Sequence, residues 1–389
     1  MSENLGDAHA AGQEVARAAL ARTTLGARSV GVVLASIELD LPALVAGIRS
    51  VLDVPLIGGT TYSEASEAGY TEDSVTLLLL TSDEADFAIG IGEGVGARGA
   101  AAVDEAWTLA EQALSGPPRL ALAFPDAALS ARGEVVADAL AARAAARRIP
   151  VMGGCPGDGG AFKRTLQIGG DRVYSDAVPI LLVAGDDVDP VVVTQTGWEP
   201  MGQKGVVTKA DGTRLLEIDG RPAIEYVGRY VVNVDDPEVL GTFPIALYDE
   251  GAPSTDAGRY VLRSPFFYDK ASGAVTYGGQ IPEGCEVQMG RAYRDRVVAS
   301  GRSAGAMVLE RRGGRPPACV LFASCGARKL VLGASVGEEA VALREQFPEV
   351  PIAGFYSYGE IGPFDSADRD DPAASRARYH NCTLVVCAL

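Results

Sequence analysis

The sequence predicts an α/β protein of α+β character, with mixed, partly antiparallel sheets flanked by helices and arranged in two domains. Three observations predict it. A pattern of strand, helix, strand, loop, strand occurs three times along the chain, and each copy passes through a Pro-apolar-apolar-Gly step. Paired apolar runs joined by acidic turns read as hairpins, so the sheets cannot be wholly parallel. At 389 residues the chain exceeds the size at which a single hydrophobic core keeps growing, which favours two domains.

The first dozen residues are expected to be frayed, followed by an Ala-rich helix near Gln13 to Arg22. Central strands are expected at Val30 to Ala35, Leu120 to Phe124 and Cys319 to Ala323. The stretches Leu41 to Val51, Ser130 to Arg147 and Val336 to Phe347 carry Ala, Leu, Glu and Arg at helical spacing. Each ends at its step, Pro55-Leu-Ile-Gly58, Pro150-Val-Met-Gly153 or Pro351-Ile-Ala-Gly354, because proline and the residue before it disfavour helix. After each glycine comes a small polar loop holding an acid, namely Glu64, Asp158 or Glu360. A second apolar run follows at Val75 to Leu80, Val178 to Val183 or Thr383 to Cys387.

The segments 77–90 and 180–193 share the hairpin pattern. Helices at Gly99 to Ser115 and Tyr293 to Arg312 precede the second and third central strands. Between them, Val206 to Val287 departs from the repeat: turns at Asp211-Gly212, Asp219-Gly220 and Asp269 to Gly273 divide it into short strands. The domain boundary is expected near Tyr226.

Composition excludes several classes. A net charge of −17, with no local cluster of Lys and Arg, repels phosphate backbones and anionic membrane surfaces, so nucleic acid and membrane are not expected partners. No apolar run approaches the roughly 20 residues that span a bilayer, and the start lacks the basic and apolar regions of a signal peptide. A cytoplasmic location is expected. The six cysteines form no Cys-x-x-Cys pair and read as reduced thiols, with no zinc site. Of the two histidines, His9 and His380, only the second lies within the folded pattern.

Three passages resemble the FIST family, the sensory domain pair of bacterial signalling proteins and eukaryotic F-box proteins. They are Gly153-Gly-Cys-Pro-Gly-Asp158 with Val173-Tyr-Ser-Asp176; Gly197-Trp-Glu-Pro200 leading into Glu217-Ile-Asp-Gly-Arg-Pro-Ala223; and Phe322-Ala-Ser-Cys-Gly-Ala-Arg328 followed by Pro351 to Pro363 and His380-Asn-Cys-Thr383. The resemblance covers residues 28 to 389 and implies a tail and helix over 1–27, a FIST N-terminal domain over 28–226 and a FIST C-terminal domain over 227–389. It also implies a small-molecule sensor, with an amino acid or similar metabolite as ligand and no enzymatic activity, and with haem-binding, nitric-oxide-responsive members as an alternative. Family members often carry a kinase, cyclase or chemotaxis output domain. This chain leaves no length for one, so a separate output protein is the expected partner, and self-association stays open.

The candidate ligand site is a wall of C-terminal loops facing the Gly157-Asp158 loop across the domain junction. In Tyr356-Ser-Tyr-Gly-Glu-Ile-Gly362, expected as a loop after a strand ending at Gly354, Tyr358 offers a flat face and a hydroxyl, and Glu360 an acceptor for an ammonium group. Arg328, just after a strand, offers a bidentate grip on a carboxylate, so that the pair suits a zwitterion. Next to it, Cys325 is either a reactive thiol, with His380 as base of a Cys-dependent hydrolase or transferase, or an inert buried residue. His380, read as opening the last strand with Asn381 beside it, is either a structural residue or an axial ligand to haem. The glycine-rich stretch Gly153 to Gly160 could cradle an anion ahead of Lys163 and Arg164, but lacks the ending of a P-loop. Gly94-Val-Gly-Ala-Arg-Gly99 matches a dinucleotide fingerprint, but weakly, since the equivalent place after the second hairpin reads Gly197-Trp-Glu-Pro200.

Overall fold

The computed structural model describes residues 1–129, 131–248, 260–364 and 376–389. Its mixed α/β architecture is three copies of one unit and an inserted layer. Unit one comprises α1 (Ala8–Leu20), β1 (Arg28–Ala35), α2 (Leu41–Arg49), β2 (Leu56–Thr60), β3 (Ser63–Ser66), β4 (Gly69–Thr71) and β5 (Val75–Ser82). Unit two comprises β6 (Asp86–Glu93), α3 (Val95–Arg98), α4 (Ala100–Ala113), β7 (Pro118–Ala123), α5 (Gly133–Ala145), β8 (Val151–Gly154), β9 (Gln167–Gly170), β10 (Arg172–Tyr174) and β11 (Ala177–Ala184). Unit three opens with β12 (Val191–Thr196) and is then interrupted. Ser130, expected as the first residue of the helix in the second copy, lies outside the described residues.

The interruption is β13 (Trp198–Asp211), β14 (Arg214–Ile218), β15 (Arg221–Pro222), α6 (Ala223–Val227), α7 (Pro237–Gly241), β16 (Ile245–Tyr248), β17 (Tyr260–Arg263), β18 (Pro265–Tyr268), β19 (Val275–Tyr277) and β20 (Glu286–Ala292). These strands make one sheet in the order β17-β16-β20-β13-β14-β19-β18, with β15 on β14, over a separate apolar core. Tyr226 lies inside this layer, in α6. Unit three then resumes with α8 (Arg294–Arg311), β21 (Val320–Cys325), α9 (Gly326–Leu332), α10 (Gly337–Arg344), β22 (Ile352–Ser357), β23 (Glu360–Pro363), β24 (Ala377–His380) and β25 (Thr383–Ala388).

Local chemistry sets the helix ends. The Asp40 carboxylate accepts from the Ala43 N–H, and Pro42 lies in the first turn of α2, where a missing N–H costs nothing. The expected frayed start is instead helical from Ala8, because Asp7 caps Ala10 and α1 packs on α2. The packing is close: a Cβ on Gly12 or Gly47 would collide with backbone of the opposite helix.

The three units exchange hairpins. In each unit the central strand (β1, β7 or β21) pairs parallel with the strand after the helix that follows it (β2, β8 or β22) and antiparallel with the unit's last strand (β5, β11 or β25). The β3–β4 hairpin of unit one, however, leaves its own sheet and pairs with β22 of unit three. The β9–β10 hairpin of unit two joins β2, and the β23–β24 hairpin of unit three joins β8. Each sheet is thus closed by its neighbour's hairpin, in a cycle. Between the sheets lies a shared core to which all units contribute, including Val32, Leu34 and Leu78, then Leu122, Phe124 and Met152, then Leu321, Phe355 and Val385.

The register identifies equivalent residues. Glu64 stands opposite Phe355, Glu360 opposite Gly154, and Gln167 opposite Gly59. Each partner is the residue after the step glycine, so Glu64, Gln167 and Glu360 are the repeated set. Asp158, expected as the acid of the second copy, is not equivalent. It belongs to a twelve-residue connection, 155–166, where the other two units use only 61–62 and 358–359.

Candidate functional site

A cavity of about 450 Å³ opens between the three-unit body and the inserted layer. The layer is fastened beside it. Arg263 of β17 pairs with Glu134 of α5 at 2.9 Å and donates to the Tyr379 carbonyl at 3.2 Å. The Asn381 carboxamide oxygen accepts from the Ser264 N–H at 3.3 Å, and its nitrogen donates to the His380 carbonyl at 3.1 Å.

The cavity wall is aromatic. Phe162 stacks on Tyr358 with ring centroids 4.1 Å apart and planes 9° from parallel. Tyr62 meets Tyr358 edge to face at 6.1 Å, and Phe266 of the layer lies 5.1 Å from Phe162. Tyr62 and Tyr358 each precede the repeated Glu by two residues, so the pair descends from the internal repeat. The twelve-residue connection brings in the third ring. Its conformation is held by Asp158, whose carboxylate accepts from the N–H groups of Phe162, Lys163 and Arg164 at 2.8, 2.7 and 2.9 Å and from the Tyr358 hydroxyl. The Gly160 N–H donates back to that hydroxyl at 2.9 Å. Gly157 pins the connection to unit one through its N–H on the Thr60 carbonyl at 3.0 Å.

Burial, reinforced by the bond to Asp158, holds the Tyr358 phenol well above its ordinary pKa. Burial also raises the Tyr62 phenol above its ordinary pKa, with the Glu238 charge adding to it. Both rings therefore present neutral hydroxyls at physiological pH. Tyr277 also lines the cavity; its hydroxyl is buried, with no hydrogen-bond partner among the described residues. Among the described residues that line the cavity, Glu238 is the one that carries a charge.

Among the expected site residues, Tyr358, Asn381 and Cys325 line the cavity, and Asp158 and Gly157 support its wall. Arg328, Glu360 and His380 do not reach it. Arg328 is fully buried beneath the first turn of α9, with its guanidinium on the Glu339 carboxylate, the Ser300 hydroxyl at 2.7 Å and the Val297 carbonyl at 3.1 Å. Glu339 is completed by Ser324 and Tyr356 at 2.6 and 2.9 Å. Glu360 is not on a loop: β22 continues to Ser357, and β23 begins at Glu360 itself. Its carboxyl accepts from the hydroxyls of Ser357 and Thr383 at 2.6 and 2.9 Å. The zwitterion clamp is therefore replaced by two separate buried networks.

His380 ends β24 rather than opening the last strand, and its Nε2 lies 3.3 Å from the Gly362 carbonyl. Burial, with Arg263 adding to it, pushes its pKa down to about 3, so the ring is neutral. Cys325 hydrogen-bonds with Cys382, and this contact with burial holds its thiol well above the ordinary range. A thiolate nucleophile with His380 as its base finds no support in this geometry. Nor does the geometry offer His380 or Cys325 to a haem in the cavity: the buried imidazole lies outside the wall, and the Cys325 thiol is protonated.

The two glycine-rich candidates use their N–H groups internally. Gly94 and Val95 donate to the Asp176 carbonyl at 2.7 and 3.1 Å, and Gly96 to its carboxylate at 2.7 Å. Gly157 and Gly159 donate to the Thr60 and Thr61 carbonyls. The sequence reading missed Tyr62, Phe162, Phe266 and Tyr277. Tyr62 carried a signal, since it sits seven residues after Pro55 as Tyr358 sits seven after Pro351. The other three carried none, because only the inserted layer and the long connection bring them here.

Comparison with protein families divides the chain within the inserted layer. The FIST N domain matches residues 29–221, and the FIST C domain matches residues 223–363. The chain is similar to the uncharacterized protein Rv0628c of Mycobacterium tuberculosis, 27% identical over 180 residues, which is 44% of this chain and 46% of that protein. The uncharacterized protein Mb0898c of Mycobacterium bovis gives the same 27% over 180 residues and the same shares. The chain thus spans about half the length of the curated relatives it matches. FIST domains are associated with sensory signal transduction. With both models matched in tandem along most of its length, this chain belongs to the FIST family.

Proposed function

We propose that this chain is a sensory receptor whose ligand enters the cavity between the three-unit body and the inserted layer, and joins the two. The observation that carries this reading is the Tyr358–Phe162 stack, which Asp158 holds against the wall. Preformed aromatic walls with a few convergent polar groups suit a small organic ligand, and a volume of about 450 Å³ suits one of metabolite size. Asn381 and the neutral phenols of Tyr62 and Tyr358 provide orientation.

The wall favours a flat, neutral or cationic ligand such as an aromatic amine. A free carboxylate would be buried with no cation among the described lining residues, which costs several kcal/mol. Within the amino-acid-like metabolites this selects the amine over the zwitterion. Occupancy changes how the layer sits on the body, and a separate output protein reads that change.

The test is a thermal-shift titration with tryptamine, tryptophan and nicotinamide, since a ligand of the folded state alone raises the melting temperature. Tryptamine is expected to stabilise the wild type and not Phe162→Ala. Equal stabilisation of both proteins, or of the wild type by tryptophan and tryptamine alike, would remove the reading.

A further inference from the structure

Among the described residues, the internal repeat leaves one position without a strand. In unit two the last strand, β11, is covered by β6 running antiparallel to it, and in unit three β25 is covered by β12 in the same way. In unit one the matching side of β5 carries no strand among the described residues, apart from a single bridge from Ser2 to Val75. That bridge fixes the polarity of the ladder. The N–H and carbonyl of Val75 point outward to Ser2, so by strand alternation those of Leu77, Leu79 and Thr81 also point outward, and no described group fills them.

The vacant side is a groove and not an open surface. A space of about 1330 Å³ lies along Thr76 to Ser82, walled by Val15, Ala18 and Ala19 of α1 on one side and by Pro351 to Ala353 on the other. In the filled positions Phe87 and Ile89 of β6, and Val192 of β12, turn inward onto the shared core. The same core is open to the groove at Leu78 and Leu80, each 8% exposed. At one end Thr76 lines the groove, buried, its hydroxyl without a partner among the described residues. At the other end the lining is acidic, with Asp83, Glu84 and Asp187. Asp187 crowds Glu84 enough to hold its carboxyl above the ordinary value.

We propose that β5 is the docking strand for an extended segment of a partner protein. The segment runs antiparallel to β5 in the place of β6 and β12, with apolar side chains at alternate positions and basic residues at its N-terminal end, which meets Glu84 and Asp187. Strand addition supplies main-chain hydrogen bonds, and the inward side chains and the acidic rim supply selectivity. A second copy is the poorer occupant, because it would bring another chain of net charge −17 onto an acidic rim.

The probe is a fluorescein-labelled peptide Lys-Lys-Val-Val-Val-Thr-Gln-Thr, the β12 sequence behind two lysines, titrated onto the full chain by anisotropy. Saturable binding is expected, weakened about tenfold in Glu84→Lys/Asp187→Lys and by raised salt. Because both residues are exposed, that variant should fold as the wild type. Hydrogen exchange reports the place: the amides of Leu77 and Leu79 should exchange freely alone and become protected with peptide. Absence of binding, protection elsewhere, or equal affinity in the charge variant would overturn the proposal. So would protection that rises with protein concentration alone, which would make the occupant a second copy.

Discussion

Gln167 in unit two occupies the position that Glu360 holds in unit three. Its Oε1 accepts from the Ala177 N–H at 3.3 Å, as a Glu360 oxygen accepts from the Thr383 N–H at 3.4 Å. Its Nε2 donates to the Thr165 hydroxyl at 3.2 Å. A neutral amide thus meets the same demands as the two glutamates. This agrees with burial raising the pKa of Glu360 well above its ordinary value and that of Glu64 to about 7.

The repeat therefore predicts how stability depends on pH. Glu64 titrates near 4.5 when unfolded and near 7 when folded, so its contribution is full below about pH 4.5. As pH rises through this window the unfolded state ionises first, and the fold loses up to about 3 kcal/mol, levelling above 7. Urea midpoints should fall between pH 5 and 7.5 in the wild type and fall less in Glu64→Gln. An equal fall in both would show that Glu64 does not carry the dependence.

Arg328 is expected to act on stability and not on ligand. Removing one member of a fully buried pair leaves Glu339 uncompensated, so Arg328→Ala should cost about 3–5 kcal/mol. Denaturant unfolding measures the cost, and titration at temperatures where the variant is folded measures affinity. A stable variant that no longer binds would return Arg328 to the ligand site.

Tyr358→Phe deletes the donor to Asp158 while keeping the stack. A hydrogen bond to a charged group gives a loss of about 1.5–3 kcal/mol. Easier proteolysis within 155–166 should accompany it. Asp158→Ala should loosen the connection further, because three N–H groups lose their acceptor.

Cys325 should resist alkylation. With its thiol protonated and buried, iodoacetamide at pH 7.5 should modify it only as the protein unfolds. Mass mapping of a time course distinguishes this from a reactive thiol, which would be labelled in the native state.

Strand and helix order was legible because each copy announces itself: apolar runs end at Pro-x-x-Gly, and helical spacing fills the interval. The exchange of hairpins was not legible, since a strand such as β3 has the same composition whether it pairs with its own sheet or with β22. That is why Asp158 was matched to Glu64 and Glu360: counting from the step glycine reaches it, whereas the long connection moves the equivalent position to Gln167. The same blindness misread Arg328 and Glu360. A charged residue beside a strand end looks available until its partner is known, and Glu339 is supplied by a helix eleven residues further on.

What the sequence determined alone was periodicity, from which the threefold repeat, the mixed sheets and the family resemblance follow. Those depend on local preferences of backbone and side chain, which are written residue by residue. What only tertiary structure decided was pairing: which sheet each hairpin closes, which acids are neutral and buried, and which aromatic rings meet across the junction. These depend on contacts between segments far apart in the chain, 200 residues for Tyr358 and Asp158 and 291 for Phe355 and Glu64, and on the solvent those contacts exclude.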